Sequence, residues 1–177
     1  MLKGARRDSQ LITSTWHKAQ RPIEGVGVRE VLHVPGDRGT LTELFRSEWD
    51  TTGPVAQVFH IELRAHAISA WHCHLTAVDR LFALTGALKI VLFDAREVSA
   101  THGTINEFTV GAARPTLLVV PPGIWHGVQN LDAAPSSIVN MPSHAYEYEA
   151  PDHYRLAMDT REIPYAWVPG AAPSTRG

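Results

Sequence analysis

Pro121-Pro122-Gly123-Ile124-Trp125-His126-Gly127-Val128-Gln129-Asn130 decides the reading of this chain, together with Ala70-Trp71-His72-Cys73-His74 upstream. A strand sends residues i and i+2 to the same face, so His72 and His74 point together into whatever space their sheet encloses. His126, arriving on a distant strand, can meet them there. Three imidazoles sharing one interior need partners, because burying polar rings without them is costly. Such a cluster serves either as a metal cage or as a proton-transfer site. Cys73, between the two histidines, is expected on the opposite face, as packing.

Outward from these blocks the chain has the texture of short β runs broken by turns. Val28 to Val34 is apolar at alternate positions, and Pro35-Gly36-Asp37 then turns the chain. Thr40 to Phe45 and Val55 to Leu63 read as further strands. Leu81 to Leu84 and Leu88 to Phe93 flank a tight turn at Thr85-Gly86, while Thr116 to Val120 and Ser136 to Met141 are apolar runs. Regular strands without amphipathic helical stretches between them predict an all-β antiparallel sandwich or barrel. Residues 1–24 read as a loosely ordered lead-in and 25–168 as the barrel domain. Within it, Asp152 to Trp167 is expected as a short helix or ordered loops over one barrel end. Residues 169–177, rich in Pro, Ala, Ser and Gly, are expected to be disordered.

Bulk properties exclude several classes. The chain has 177 residues, 44% hydrophobic and 19% charged, with a formal charge of -2, which suits one globular domain with its own core. That charge gives no footprint for nucleic acid or an anionic membrane. No apolar run approaches the roughly 20 residues of a membrane helix, and Met1 to Gln10 lacks the apolar region of a signal peptide. With the lone Cys73 excluding an internal disulfide, a cytoplasmic location is expected.

Written as spacing, the first block is His72-x-His74-x4-Asp79-x6-Gly86 and the second is Pro121-x-Gly123-x2-His126-x3-Asn130. Together they resemble the two cupin motifs, which implies a jelly-roll barrel, the double-stranded β-helix of that superfamily. Asp79 stands where metal-binding cupins usually carry Glu. His60 and His66 share the even parity of His72 and His74, which matters only if no turn intervenes between Ala65 and Ala70.

A closer resemblance runs over about residues 26–167. Asp37-Arg38-Gly39 with Glu43, Gln57, Gly123-Ile124-Trp125-His126-Gly127, Phe93-Asp94-Ala95-Arg96 with Ser99, Thr101 and Gly103, and Ala150-Pro151-Asp152-His153 are similar to motifs of the dTDP-4-dehydrorhamnose 3,5-epimerases. Within that group the ending Glu162-Ile163-Pro164-Tyr165-Ala166-Trp167 is similar to a divergent subgroup. The resemblance implies a metal-free isomerase that removes a proton α to a ketone of a nucleotide-linked keto-sugar and returns one on the other face. It implies His72 as base, Asp159 as the carboxylate that orients it, and Arg80 in place of the lysine that stabilises the enolate. It also implies Tyr146 or Tyr148 as acid, Arg38, Glu43, Gln57, Trp71 and His126 as substrate contacts, and a homodimer. The chain departs from the family at Ser69, where an arginine is usual, and at His74, where glutamine is usual.

Two other readings stay open. One is a metal-dependent cupin enzyme, a dioxygenase or isomerase, with one divalent transition ion (Fe, Mn, Ni or Zn) on His72, His74, Asp79 and His126. On that reading a His72 nitrogen bound to metal is not available as a base. The other is a small-ligand-binding cupin with an aromatic pocket mouth built from Trp71, Trp125 and Trp167.

Overall fold

The structure, a computed structural model, describes residues 3–5, 10, 12–15 and 20–168. Among them the strands are β1 (Gly27–Glu30), β2 (Val34–Gly36), β3 (Gly39–Leu41), β4 (Phe59–Leu63), β5 (Ile68–Cys73), β6 (Asp79–Thr85), β7 (Ala87–Asp94), β8 (Ile105–Gly111), β9 (Thr116–Val120), β10 (Ile124–Asn130), β11 (Ser136–Asn140) and β12 (Tyr154–Arg155). The described residues contain no α-helix, only a 3-10 turn at Ser47–Trp49.

Two five-stranded antiparallel sheets form, in the orders β1-β9-β6-β11-β4 and β12-β5-β10-β7-β8, with β2 and β3 as a separate hairpin. From β4 to β12 the chain passes repeatedly between the two sheets, which is the jelly-roll arrangement. Their inner faces pack Leu63, Leu81, Ile90, Leu92, Leu118 and Ile138 into one buried core. Burying an aliphatic side chain of this size contributes about 1.5–3 kcal/mol, so this layer holds the sheets together. The core fills one half of the barrel and leaves the other open.

The expected turn between β6 and β7 is present at Gly86, whose φ of 71° suits glycine and whose position leaves no room for a Cβ beside Ser136. The strand expected from Thr40 to Phe45 stops at Leu41, and that expected from Val55 begins only at Phe59, where pairing with Asn140 starts. No helix occurs between Asp152 and Trp167. Its first part lies along the edge of β5, where Tyr154 faces Cys73, and Trp71 and Leu156 exchange backbone hydrogen bonds at 3.1 and 3.2 Å. Sheet-edge pairing satisfies backbone groups that a helix would otherwise have satisfied internally. Ile163 and Trp167 then pack on the outer face of the same sheet.

The end of the expected lead-in belongs to the barrel: Ile23 is buried in the core and its N–H donates to Asn106 Oδ1 at 3.0 Å. The expected tail, residues 169–177, lies outside the described residues.

Candidate active site

The open half of the barrel is a cavity of about 770 Å³, within the usual range for small-molecule sites. Strand parity decides what lines it. On β10, His126 and Val128 point inward while Trp125 packs outside; on β6, Asp79 and Leu81 point inward. The loop after β11, through to β12, closes over the rim with Tyr146, Asp152, His153 and Arg155.

Five histidines line this space, and the rings of four of them gather together, with His144 set apart on the rim loop. His72 and His126 are directly paired across β5 and β10, with ring centres 5.8 Å apart, and His74 stands 5.8 Å from His126. The fourth, His153, lies 5.2 Å from His72 and 5.1 Å from His74. Sequence reasoning gives His153 no role of its own, although it closes the Ala150-Pro151-Asp152-His153 block. Its neighbour explains its placement: the Asp152 carboxylate accepts from the N–H groups of Leu75 (2.8 Å), Thr76 (2.8 Å) and Ala77 (3.1 Å), and from the Thr76 hydroxyl. These bonds fasten the rim loop to the turn that follows His74, and hold the Asp152 carboxyl well below the usual range despite some burial.

The histidines divide into two groups. His72 Nδ1 meets His153 Nε2 at 3.0 Å, and His72 Nε2 meets Ser69 Oγ at 2.9 Å. With Nδ1–H donating to His153, His72 Nε2 accepts from the Ser69 hydroxyl. Burial, followed by the charges of His126, Arg155, His153 and His74, pulls the His72 pKa down to about 3. The second group is His74, Asp79 and His126, whose donor atoms all lie within 4.8 Å of one another. Asp79 Oδ2 is 3.3 Å from both His74 Nε2 and His126 Nε2, while Asp79 Oδ1 accepts from Asn140 Nδ2 at 2.7 Å. Burial lowers His126; it also acts against charge on His74, but Asp79 and the Asp152 carbonyl outweigh it and raise that ring.

Several expected site residues lie elsewhere. Arg80 is not in the cavity: as the neighbour of inward Asp79 it points outward, fully buried. There it donates to Asp50, to the Gly53 carbonyl at 2.8 Å and to the Pro54 and Met141 carbonyls at 3.2 Å, with Phe45 beneath it. It holds a loop and does not face an enolate. Asp159 is exposed, away from the cavity lining, and His153 occupies the place beside His72 that it was expected to take. Trp71 is wholly buried on the outer face, its ring 5.1 Å from Trp167, and Trp125 packs in the same outer cluster, so the three tryptophans form no pocket mouth. Gly127 is glycine for the same reason, since a Cβ there meets Ala70 at 2.5 Å and Trp167 at 2.6 Å.

Gln57 and Tyr146 both line the rim, and the Tyr146 N–H donates to Gln57 Oε1 at 2.9 Å. Tyr148 is 84% exposed and stacks edge-on with Tyr146 outside the cavity lining. Arg38 and Glu43 are exposed and do not line this chain's own cavity. His60 and His66 are not lining residues either: the turn at Ala65 and His66 breaks the parity they share with His72. Cys73 is buried on the outer face as expected, and burial pushes its thiol up to about 11. Sequence also missed Arg155, which sits opposite His72 in the β12–β5 register and lines the cavity.

Comparison with known proteins agrees with this geometry. The family model for dTDP-4-dehydrorhamnose 3,5-epimerase matches residues 20–176. Agl13 of Haloferax volcanii, described as a "probable low-salt glycan biosynthesis epimerase", is 32% identical over 82% of this chain and 94% of its own. A dTDP sugar isomerase structure from Desulfovibrio desulfuricans superposes with a TM-score of 0.77 at 23% identity, over 82% of this chain and 92% of that one. The 3'-monoepimerase ChmJ of Streptomyces bikiniensis, solved with dTDP-quinovose, gives a TM-score of 0.73 at 23% identity, over 84% of this chain and 77% of its own. The chain belongs to the dTDP-4-dehydrorhamnose 3,5-epimerase family.

Proposed function

We propose that this enzyme epimerises a dTDP-linked 4-keto-6-deoxyhexose, with His72 as the base. The Ser69 hydroxyl turns away from His72 Nε2, the C–H bond α to the ketone breaks, its proton passes to that nitrogen, and the electron pair moves through the new C=C bond onto the ketone oxygen. Reprotonation of the enolate from the opposite face inverts the centre. Tyr146, on the rim, is the proposed acid, and Gln57 and His126 are proposed substrate contacts. Arg155 supplies positive charge at the cavity wall, for a chain that carries Ser69 where its family has an arginine. The observation that carries this reading is His72, held between Ser69 and His153 on the wall of a sugar-sized cavity. ChmJ, a monoepimerase that binds dTDP-quinovose, supports the substrate class.

Incubating the enzyme with dTDP-4-keto-6-deoxyglucose in D₂O and weighing the recovered sugar tests the proposal. One deuterium indicates a single centre and two indicate both; a substrate that stays unlabelled at high enzyme concentration ends the reading.

The proposal includes a homodimer and a cytoplasmic site of action. Leu32, Val34 and Leu41 on and beside the β2–β3 hairpin are 82%, 55% and 65% exposed, and β4 is the last strand of its sheet among the described residues. Pairing would cover both. It would also give Arg38 and Glu43, carried beside that hairpin, a second chain's cavity to face. The unpaired Cys73 suits a reducing compartment.

A further inference from the structure

His74, Asp79 and His126 present a feature that proton transfer at His72 does not use. His74 Nδ1 is hydrogen-bonded to the Asp152 carbonyl, and His126 Nδ1 lies 3.3 Å from the Ile124 carbonyl. A carbonyl only accepts, so each Nδ1 carries a proton and each ring turns Nε2 inward. Both Nε2 atoms lie 3.3 Å from the same carboxylate oxygen. That oxygen, Asp79 Oδ2, is buried, and among the described residues no hydrogen bond of ordinary geometry reaches it. Two imidazole nitrogens and one carboxylate oxygen thus converge on a single point, with all three donor atoms within 4.8 Å of one another, where one cation can be held by all of them.

We propose that His74, Asp79 and His126 bind one divalent first-row transition-metal ion. Ligands held about 2.0–2.2 Å from such an ion stand about 3–3.5 Å apart, and both nitrogen-to-oxygen separations fall in that range. Two imidazoles and one carboxylate favour a transition ion over magnesium or calcium, which take oxygen donors. The partners behind the donors are of the kind metal sites use: a backbone carbonyl on each histidine, and Asn140 on the second oxygen of Asp79. Three protein donors leave open positions on the cavity side.

This differs from a four-donor cupin cage in one respect. His72 is outside the set, occupied by Ser69 and His153, so a bound ion and a base do not compete for its nitrogens. Resting on the epimerase reading, the ion is also the positive charge for the ketone oxygen that Arg80, packed outside the barrel, does not provide.

Metal analysis of the full-length, untagged protein, purified without chelator, tests the site. Near-stoichiometric metal is expected in wild type and in His72→Asn, with thermal stabilisation of stripped protein on adding Zn(II) or Mn(II). Asp79→Asn and His74→Gln should each weaken uptake at least tenfold, and Asn140→Ala should do so about tenfold. His74→Gln alters a partly exposed ring and keeps the test available if Asp79→Asn does not fold. Wild type that holds under a tenth of an equivalent, and shows no thermal shift with saturating Zn(II), Mn(II), Fe(II) or Ni(II), overturns the site; so does uptake that His74→Gln leaves unchanged. Deuterium exchange by metal-free protein that takes up no ion would overturn the site and leave the epimerase reading standing. Metal without exchange would do the reverse.

Discussion

Asp79 and Arg80 are adjacent in sequence and opposite in fate. Strand alternation puts the carboxylate in the cavity and the guanidinium on the outer wall, where neither partner of the Arg80–Asp50 pair is more than 6% exposed. Removing one partner of a buried ion pair leaves the other uncompensated, at a cost of about 3–5 kcal/mol. Arg80→Met is therefore expected to lower the thermal midpoint sharply, and to reduce turnover only in proportion to the unfolded fraction. A stable variant that had lost turnover would return Arg80 to the chemistry. His72 and His74 were legible from spacing because i, i+2 parity needs no tertiary knowledge. His126 and Asp79 came from the likeness to the cupin motifs, and the register that turns Asp79 inward could not be read from sequence. His153 was not legible, because its role depends on a loop fastened through Asp152, and Arg80 was misread because likeness in charge carries no information about face.

At the scale of elements, the block Phe93-Asp94-Ala95-Arg96 with Ser99 and Thr101 proves to be a structural knot at the end of β7. The Asp94 carboxylate, fully buried, accepts from Arg96 Nε and Nη2 at 2.9 Å and from the Ser99 and Thr101 hydroxyls at 2.6 Å. Burial opposes its charge, yet these bonds hold its pKa well below the ordinary range. A depressed folded-state pKa means that the stabilisation is complete above the unfolded carboxylate value, about 4, and is lost as pH falls below it. Asp94→Asn should thus be less stable than wild type at pH 7, with the gap narrowing below about pH 4 in denaturant titrations. A gap that stayed constant with pH would refute this account of the knot. The strands β6, β7, β9 and β11 were legible from apolar runs. Of the short helix or ordered loops expected near the C-terminus, the structure has the loops, because the edge of β5 offers Leu156 backbone partners that no local pattern reveals.

At the scale of the whole molecule, the barrel is filled at one end and open at the other, and the chemistry occupies the boundary. Histidines from β5 and β10 approach only because these strands are neighbours in one sheet, while Asp79 reaches them across the barrel from the other. On the proposed reading, His72 removes the substrate proton independently of the His74–Asp79–His126 group. The most direct test is the initial rate of solvent deuterium incorporation into dTDP-4-keto-6-deoxyglucose by His72→Asn, compared with wild type at equal dTDP-sugar occupancy. A general base contributes about 10²–10⁴-fold, so the variant should lose at least a hundredfold in exchange while keeping its fold and its affinity for the sugar nucleotide. Exchange within a few-fold of wild type would contradict the claim.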